Sequence, residues 1–280
     1  MAKNISEIEF TVFDLETTGL EPGSGDRVIE IAAVRLKAGQ ILREFQSLVN
    51  PGRKSISPAA FAVNQISHQM LREAPQISEV MPLFLDFISD SCLASYNAQF
   101  DFDFLSSELR LVKKQLPGGL QIVDILTMAR RMLHGLERYA LGFVANYLRI
   151  NSLQEHRALS DAHLAAEVFN RISSNLVKKG IVDFEQFVSL FGLSSQMLEN
   201  INSAKIARIQ EALDLGISLK IRYLSRYNTE FTEREVIPRA IKHDKHQTYL
   251  VGYCNLRNQE RTFSVKNILH LEMGTPSQIS

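Results

Sequence analysis

The sequence predicts an α/β protein: a mixed sheet with helices, then a helical connector, then a small C-terminal β-barrel. Three patterns predict it. Residues 8–49 read as an antiparallel meander of three strands. Residues 79–176 alternate short apolar runs with helical spacing. From residue 217 onwards, short strands follow one another with no helix between them. The expected domains are 1–178, a connector over 179–205, and a barrel over 206–280.

The elements follow in order. Residues 8–13 are apolar, β-branched and aromatic, which predicts a buried strand. Residues 28–36 and 40–49 predict its two partners, joined by a turn at Lys37-Ala38-Gly39-Gln40. Residues 79–88 have helical periodicity, with Pro82 tolerable only near the start of the helix. Residues 92–96 predict an inner strand, 100–111 a helix, and 122–124 a brief strand leading into a helix through 133. Residues 141–147 and 159–176 are amphipathic helices, and the connector is helical over 181–192 and 197–215. Strands are expected at 218–224, 234–241, 248–255 and 262–265.

The chain has 280 residues, 45% hydrophobic and 22% charged, which fits one large or two ordinary globular domains. No apolar run approaches the ~18 residues that span a bilayer, so no membrane partner is expected. The start of the chain lacks an apolar signal core. Cys92 and Cys254 lie far apart without metal-type spacing. A cytoplasmic protein with reduced thiols is expected. The zero net charge is uneven: residues 205–280 carry twelve Lys/Arg against eight Asp/Glu, a net of +4 that leaves −4 for the rest. A modestly basic C-terminal part suits a polyanionic partner.

Three acidic stretches carry the chemistry. Asp14 and Glu16 sit at the end of the first strand, two apart and so on one face. Two acids on one face repel, and a divalent cation between them relieves that cost. Thr17, Thr18 and Gly19 then turn the chain and are expected to leave backbone N–H groups near the acids. Asp101 and Asp103 open a helix, where they diverge by ~200°, so only one of them faces a site. The other serves the helix dipole. Ser160 resembles a helix N-cap, with Asp161 in the first turn and His156 on the loop before it.

Together these stretches resemble the DnaQ-like family of 3′→5′ exonucleases, the DEDDh group. Its first motif stands here as Phe13-Asp14-Leu15-Glu16-Thr17-Thr18-Gly19. Its second stands as Tyr96-Asn97-Ala98-Gln99-Phe100-Asp101-Phe102-Asp103-Phe104-Leu105, and its third as His156-Arg157-Ala158-Leu159-Ser160-Asp161. The resemblance implies a ribonuclease H-like fold over roughly residues 7–175. It selects Asp101 as the ligand and leaves Asp103 aside. It implies two divalent cations, Mg2+ or Mn2+, held by Asp14, Glu16, Asp101 and Asp161, with His156 as general base. Thr17, Thr18, Gly19, Tyr96 and Asn97 would seat the substrate. Tyr96 stands where many members have histidine, which implies altered substrate contacts. The implied substrate is single-stranded DNA or a frayed 3′ end. RNA trimming is the nearest rival, and a sensor using the fold as a binding platform is the rival of another class. The family includes polymerase proofreading subunits, so a polymerase subunit or sliding clamp is a candidate partner. Gln186-Phe187-Val188-Ser189-Leu190-Phe191 loosely resembles their clamp-binding hexapeptide, but it also reads as a plain apolar helix stripe.

The last third resembles the WYL domain, which has an Sm-like barrel. The matching residues are Tyr223, Arg234, Pro238, Tyr249, Leu250, Gly252, Tyr253, Cys254, Arg261, Phe263, Asn267 and Ile268. Thr248 stands where the naming tryptophan would be, and Lys266 where arginine is usual. The resemblance implies a nucleic-acid or nucleotide-like ligand. Arg222, Arg234, Arg239 and Arg261, with Tyr223 and Tyr253, offer charge and stacking surfaces for it, unless these arginines only pair with Glu233, Glu235 and Glu260.

Overall fold

The computed structural model describes residues 3–151, 156–193, 196–224, 231–244 and 247–276. The chain divides into two compact units. The first comprises residues 1–130 and 136–184, the second residues 131–135 and 185–280. Among the described residues no helix is long and apolar enough to cross a membrane.

The first unit is built on strand β1 (Glu9–Thr17), with β2 (Val28–Lys37) and β3 (Gln40–Leu48) continuing the meander. Strands β4 (Cys92–Ser95) and β5 (Ile122–Asp124) join on the other side. The order is β3-β2-β1-β4-β5, antiparallel on the meander side and parallel on the other. This is the mixed sheet expected of a ribonuclease H-like fold. Nearly all of β2 is buried, because helices and neighbouring strands enclose it. Helices α1 (Pro58–Asn64), α2 (His68–Arg72) and α3 (Ile77–Phe87) follow the meander. Then come α4 (Ala98–Leu111), α5 (Ile125–Met132), α6 (Leu141–Tyr147) and α7 (Ala158–Lys178). Helix α7 lies against β1 and β2. Phe10 of β1 meets Phe169 of α7 with ring centroids 4.8 Å apart, and Phe13, Phe84 and Phe104 are fully buried. Burying an aromatic side chain of this size contributes roughly 1.5–3 kcal/mol.

Three local expectations need correction. Helices α1 and α2 were not expected at all, although Ser57 and Ser67 cap them by accepting from Ala60 N and Met70 N. Pro82 lies well inside α3 rather than near its start. The fold tolerates it because Ser78, whose carbonyl loses an N–H partner, is exposed to water. Helix α7 starts two residues before Ser160, so Ser160 is not its cap.

The second unit holds α8 (Phe184–Phe191) from residue 185 onwards, then α9 (Gln196–Leu215) and strands β6 (Ile217–Leu224), β7 (Phe231–Asp244), β8 (Gln247–Cys254), β9 (Gln259–Ser264) and β10 (Ile268–Pro276). The sheet is antiparallel in the order β10-β6-β7-β8-β9. No pairing joins β9 to β10 among the described residues. The unit is therefore an open sheet, not the closed barrel the sequence predicts. It is nonetheless strongly curled. Four flat inter-strand gaps would separate the edges by about 19 Å. Only the turn Val265–Asn267 links β9 to β10, and four steps of chain reach at most about 15 Å. The curled sheet and α9 enclose Ile209, Leu219, Val236, Leu250, Phe263 and Ile268. In α8, Leu190 and Phe191 are 4% and 0% exposed. Phe187, Val188, Leu190 and Phe191 of the hexapeptide thus form a buried apolar stripe, which leaves its apolar side chains closed to a clamp.

The bend falls where β7 shifts register between Pro238 and Ala240, opposite Gly252. Pro238 has no N–H to give the ladder, and Gly252 lets the backbones close. A Cβ at 252 would sit 2.5 Å from the Ile237 carbonyl oxygen. Gly252→Ala should cost about 1–3 kcal/mol, measured by urea unfolding of the full chain. An unchanged midpoint would show that the bend does not depend on that close approach.

Candidate metal centre

The strand pairing explains where the acids stand. Asp14 and Glu16 share a face of β1, opposite Ala32 and Glu30 of β2. Small Ala32 leaves room beside Asp14. Asp161 lies in the first turn of α7, which packs over the same part of the sheet. Asp14, Glu16 and Asp161 each offer a carboxylate oxygen within 4.8 Å of the others. Asp14 and Glu16 are half-buried and Asp161 is buried.

Asp101 stands just behind this trio. Strand β4 pairs with β1 only from Phe10 to Val12, so the β1 edge beyond is open on that side. Asp101, from the first turn of α4, accepts there from the Leu15 backbone N–H, from its own N–H and from Ser95 Oγ. It is 2% exposed. Asp103 is exposed on the same helix and accepts from Gln99 Nε2 at 2.8 Å, away from the cluster.

The electrostatics are those of a site built for positive charge. Burial and then the charges of Asp101, Glu16, Asp161 and Glu30 push the Asp14 carboxyl well up. Burial pushes Glu16 up to about 8, against a hydrogen bond from Asn64 that lowers it. Burial also raises Asp101 to about 7, opposed by Ser95 and the two backbone amides. The four charges acting most strongly on Asp14 are all negative. A set of carboxylate oxygens in this state fits a hard divalent cation.

His156 takes φ +53°, outside the helix, with its side chain 48% exposed. Its Nδ1 is 4.0 Å from Asp161 Oδ2. The imidazole thus stands at the mouth of the cluster while its neighbour Arg157 is the N-cap of α7.

The turn after β1 departs from expectation. Thr18 N donates to the Arg27 carbonyl at 2.9 Å, so this amide is not left for a ligand. Thr17 Oγ1 donates to the Gly19 carbonyl, and Thr18 Oγ1 donates to Asp26 Oδ1. Gly19 packs so closely on Asp26 that a Cβ would fall 2.3–2.8 Å from its carboxylate atoms. Asp26 is therefore the pin of the turn, held in turn by Lys54 at 2.9 Å. Beyond it, Leu20 is 75% exposed. Tyr96 donates its hydroxyl to the Tyr139 carbonyl at 2.8 Å, so its one O–H donor is already used. Asn97 takes the left-handed conformation at φ +71° and caps α4 without a side-chain bond. Asp124 accepts from Ala98 N, Leu126 N and Thr127 N, joining the starts of α4 and α5.

Sequence reasoning missed four residues around the cluster: Asn64 beside Glu16, Ser95 on Asp101, and the pair Glu30 and Arg157. Arg157 forks onto Glu30 at 2.7 and 3.0 Å. Glu30 had a visible signal, since it is the one charge inside the apolar run Val28-Ile29-Glu30-Ile31-Ala32-Ala33-Val34.

In the second unit Arg222, Tyr223, Arg234 and Arg261 do not converge. Arg222 and Arg234 line a depression of about 520 Å³ with Lys220, Glu233, Glu235 and Glu272. Tyr223 instead packs edge-on against the buried Phe263, with ring centroids 5.2 Å apart. Arg234 also lies over that ring and donates to Thr232 Oγ1. Arg261 is exposed on β9, opposite Gly252. Of the expected ion pairs, Arg239 meets Glu260 at 3.3 Å.

Comparison with known proteins now bears on this geometry. A family model described as Exonuclease (RNase T) matches residues 11–169, and a second, described as WYL domain, matches residues 204–273. The DNA polymerase III PolC-type protein of Caldanaerobacter subterraneus subsp. tengcongensis is 31% identical over 252 residues, 88% of this chain. The chain spans only 17% of that relative's length. The DNA polymerase III subunit epsilon of Treponema pallidum is 37% identical over 174 residues, 61% of this chain and 80% of that one. Among solved structures, exonuclease X in complex with 5′ overhanging duplex DNA superposes with a TM-score of 0.50 at 26% identity. It covers 59% of this chain and 92% of its own. With the exonuclease match extending over more than half its length, this chain belongs to the DnaQ-like family of 3′→5′ exonucleases and carries a WYL domain.

Proposed function

We propose that the chain hydrolyses the terminal phosphodiester of single-stranded or frayed 3′ DNA ends and releases mononucleotides. The observation that supports this most is the meeting of Asp14, Glu16 and Asp161 within 4.8 Å, with Asp101 close behind. In this reading the four acids hold two divalent cations, Mg2+ or Mn2+. Bound there, such cations polarise the phosphate, make water a nucleophile at neutral pH and steady the leaving 3′ oxygen. Asp14, which feels the charges of all three other acids, would be the central member of this ligand set. Ser95 and the Leu15 amide orient Asp101 toward the cluster, and Asn64 orients Glu16. His156 takes the proton of the attacking water at Nε2, while Nδ1 faces Asp161. The Thr17-Thr18-Gly19 turn seats the terminal nucleotide through its shape, since both hydroxyls are turned inward. Tyr96 and Asn97 flank the same cleft at the start of α4.

The working division is an exonuclease domain over 1–178, a connector over 179–205 and the WYL part over 206–280. Lys220, Arg222 and Arg234 give that part a surface for a phosphate-bearing ligand. Association with a polymerase, which the relatives' names describe, is a further proposal for this chain.

Three measurements test this reading. Asp161→Ala should abolish Mn2+-stimulated release of mononucleotides from end-labelled DNA, and His156→Ala should slow it by about 10²–10⁴. Full activity in Asp161→Ala would sink the assignment, and faster release from a matched RNA would move the substrate to ribose. Asp14→Asn removes a carboxyl whose ionised form burial and four neighbouring acids disfavour. In EDTA it should therefore be more stable than the wild type by about 0.5–2 kcal/mol, read as a higher thermal midpoint. Added Mn2+ should raise the wild-type midpoint and leave the variant's almost still. For the WYL part, Arg222→Ala in the full chain should lower the salt slope of single-strand DNA binding by about 0.7. An unchanged slope would remove that phosphate contact.

A further inference from the structure

Glu30 lies near the metal centre with both of its carboxylate oxygens taken up by donors of this chain. Its side chain is 0% exposed. Oε1 accepts from Arg157 Nη2 at 2.7 Å and Gln46 Nε2 at 3.0 Å. Oε2 accepts from Arg157 Nε at 3.0 Å and Ala158 N at 3.1 Å. Burial alone would push this carboxyl up, but the Arg157 fork, Gln46 and the Ala158 amide outweigh it and hold it below the usual range. Four donors on two oxygens leave no lone pair for a cation, so Glu30 is not a fifth ligand. What it does instead follows from where the donors sit. Arg157 is the N-cap of α7 and Ala158 its first residue. The residue before them is His156, in a left-handed backbone conformation with no helix of its own to hold it.

We propose that Glu30 and Arg157 form a positioning pair that sets the reach of His156 over the metal centre. The fork pins residue 157 to β2, and the Ala158 bond pins the first turn of α7 to the same carboxylate. Glu30 also faces Glu16 across the β1–β2 ladder. The imidazole is thereby held at a fixed height above the strand that carries two of the acids. A bidentate Arg–carboxylate pair fixes direction as well as distance, and lysine cannot reproduce it.

This inference rests on the exonuclease reading, and one double-mutant cycle separates the two. Steady-state kcat and KM are measured on a 3′-labelled oligonucleotide with Mn2+ for wild type, His156→Ala, Arg157→Ala and the double variant. We expect Arg157→Ala to lower kcat at least about tenfold, with KM and the half-saturating Mn2+ concentration within about twofold. In the His156→Ala background the same change should alter kcat by less than about twofold, because its effect passes through the imidazole. Losses that multiply, or an unchanged kcat in Arg157→Ala, overturn the positioning role. If Arg157→Ala does not fold by circular dichroism, Arg157→Lys and Glu30→Gln enter the same cycle with the same expectation. Failure of the exonuclease reading itself looks different: the wild type releases no nucleotide and His156→Ala matches it.

Discussion

Mutual repulsion among half-buried carboxylates is the constraint around which the first unit is arranged. Asp14 and Glu16 share a strand face, and Asp101 and Asp161 approach from the first turns of two helices. Left alone, such a group resists burial and drifts toward the protonated form, as the raised Asp14, Glu16 and Asp101 carboxyls show. The fold counters this with dipoles around the acids. Helix N-termini face Asp101 and Asp161, Ser95 and two amides serve Asp101, and Asn64 serves Glu16. The remaining imbalance is what a divalent ion would relieve. The stability that the crowded acids cost thus becomes affinity for a metal.

The same economy separates two kinds of buried acid. Glu30 and Glu108 are buried as deeply as Asp101 and Asp161, at 0% and 1% exposed against 2% and 4%. Each is gripped by an arginine fork and a backbone amide: Arg157 and Ala158 on Glu30, Arg27 and Val28 on Glu108. Acids held by an arginine fork fasten elements together, and acids crowded by other acids suit a cation. Burial alone does not tell them apart; the donors do.

Much of the first unit was legible because its pattern is local. Alternation and apolar runs mark β1 to β3, and Asp14, Glu16, Asp101, His156 and Asp161 lie in short motifs. What was missed is not local. The Glu30–Arg157 pair spans 127 residues, and only the sheet order brings its members together. Ser160 looked like a cap because serine before a helical run usually is one, yet Glu30 caps α7 from another strand. Helices α1 and α2, at seven and five residues, are too short to show a period. In the second unit the strands were readable from composition. Whether the last edge closes depends on pairing that no single strand encodes, so the barrel was overcalled.

The three-residue joint between β9 and β10 has a consequence for how the second unit comes apart. A sheet normally frays from its edges, one strand at a time. Here the two outermost strands are neighbours along the chain, so peeling one from β6 pulls directly on the other at β8. Fraying is suppressed at both rims together. The expected consequence is a unit that unfolds as a single cooperative body rather than strand by strand.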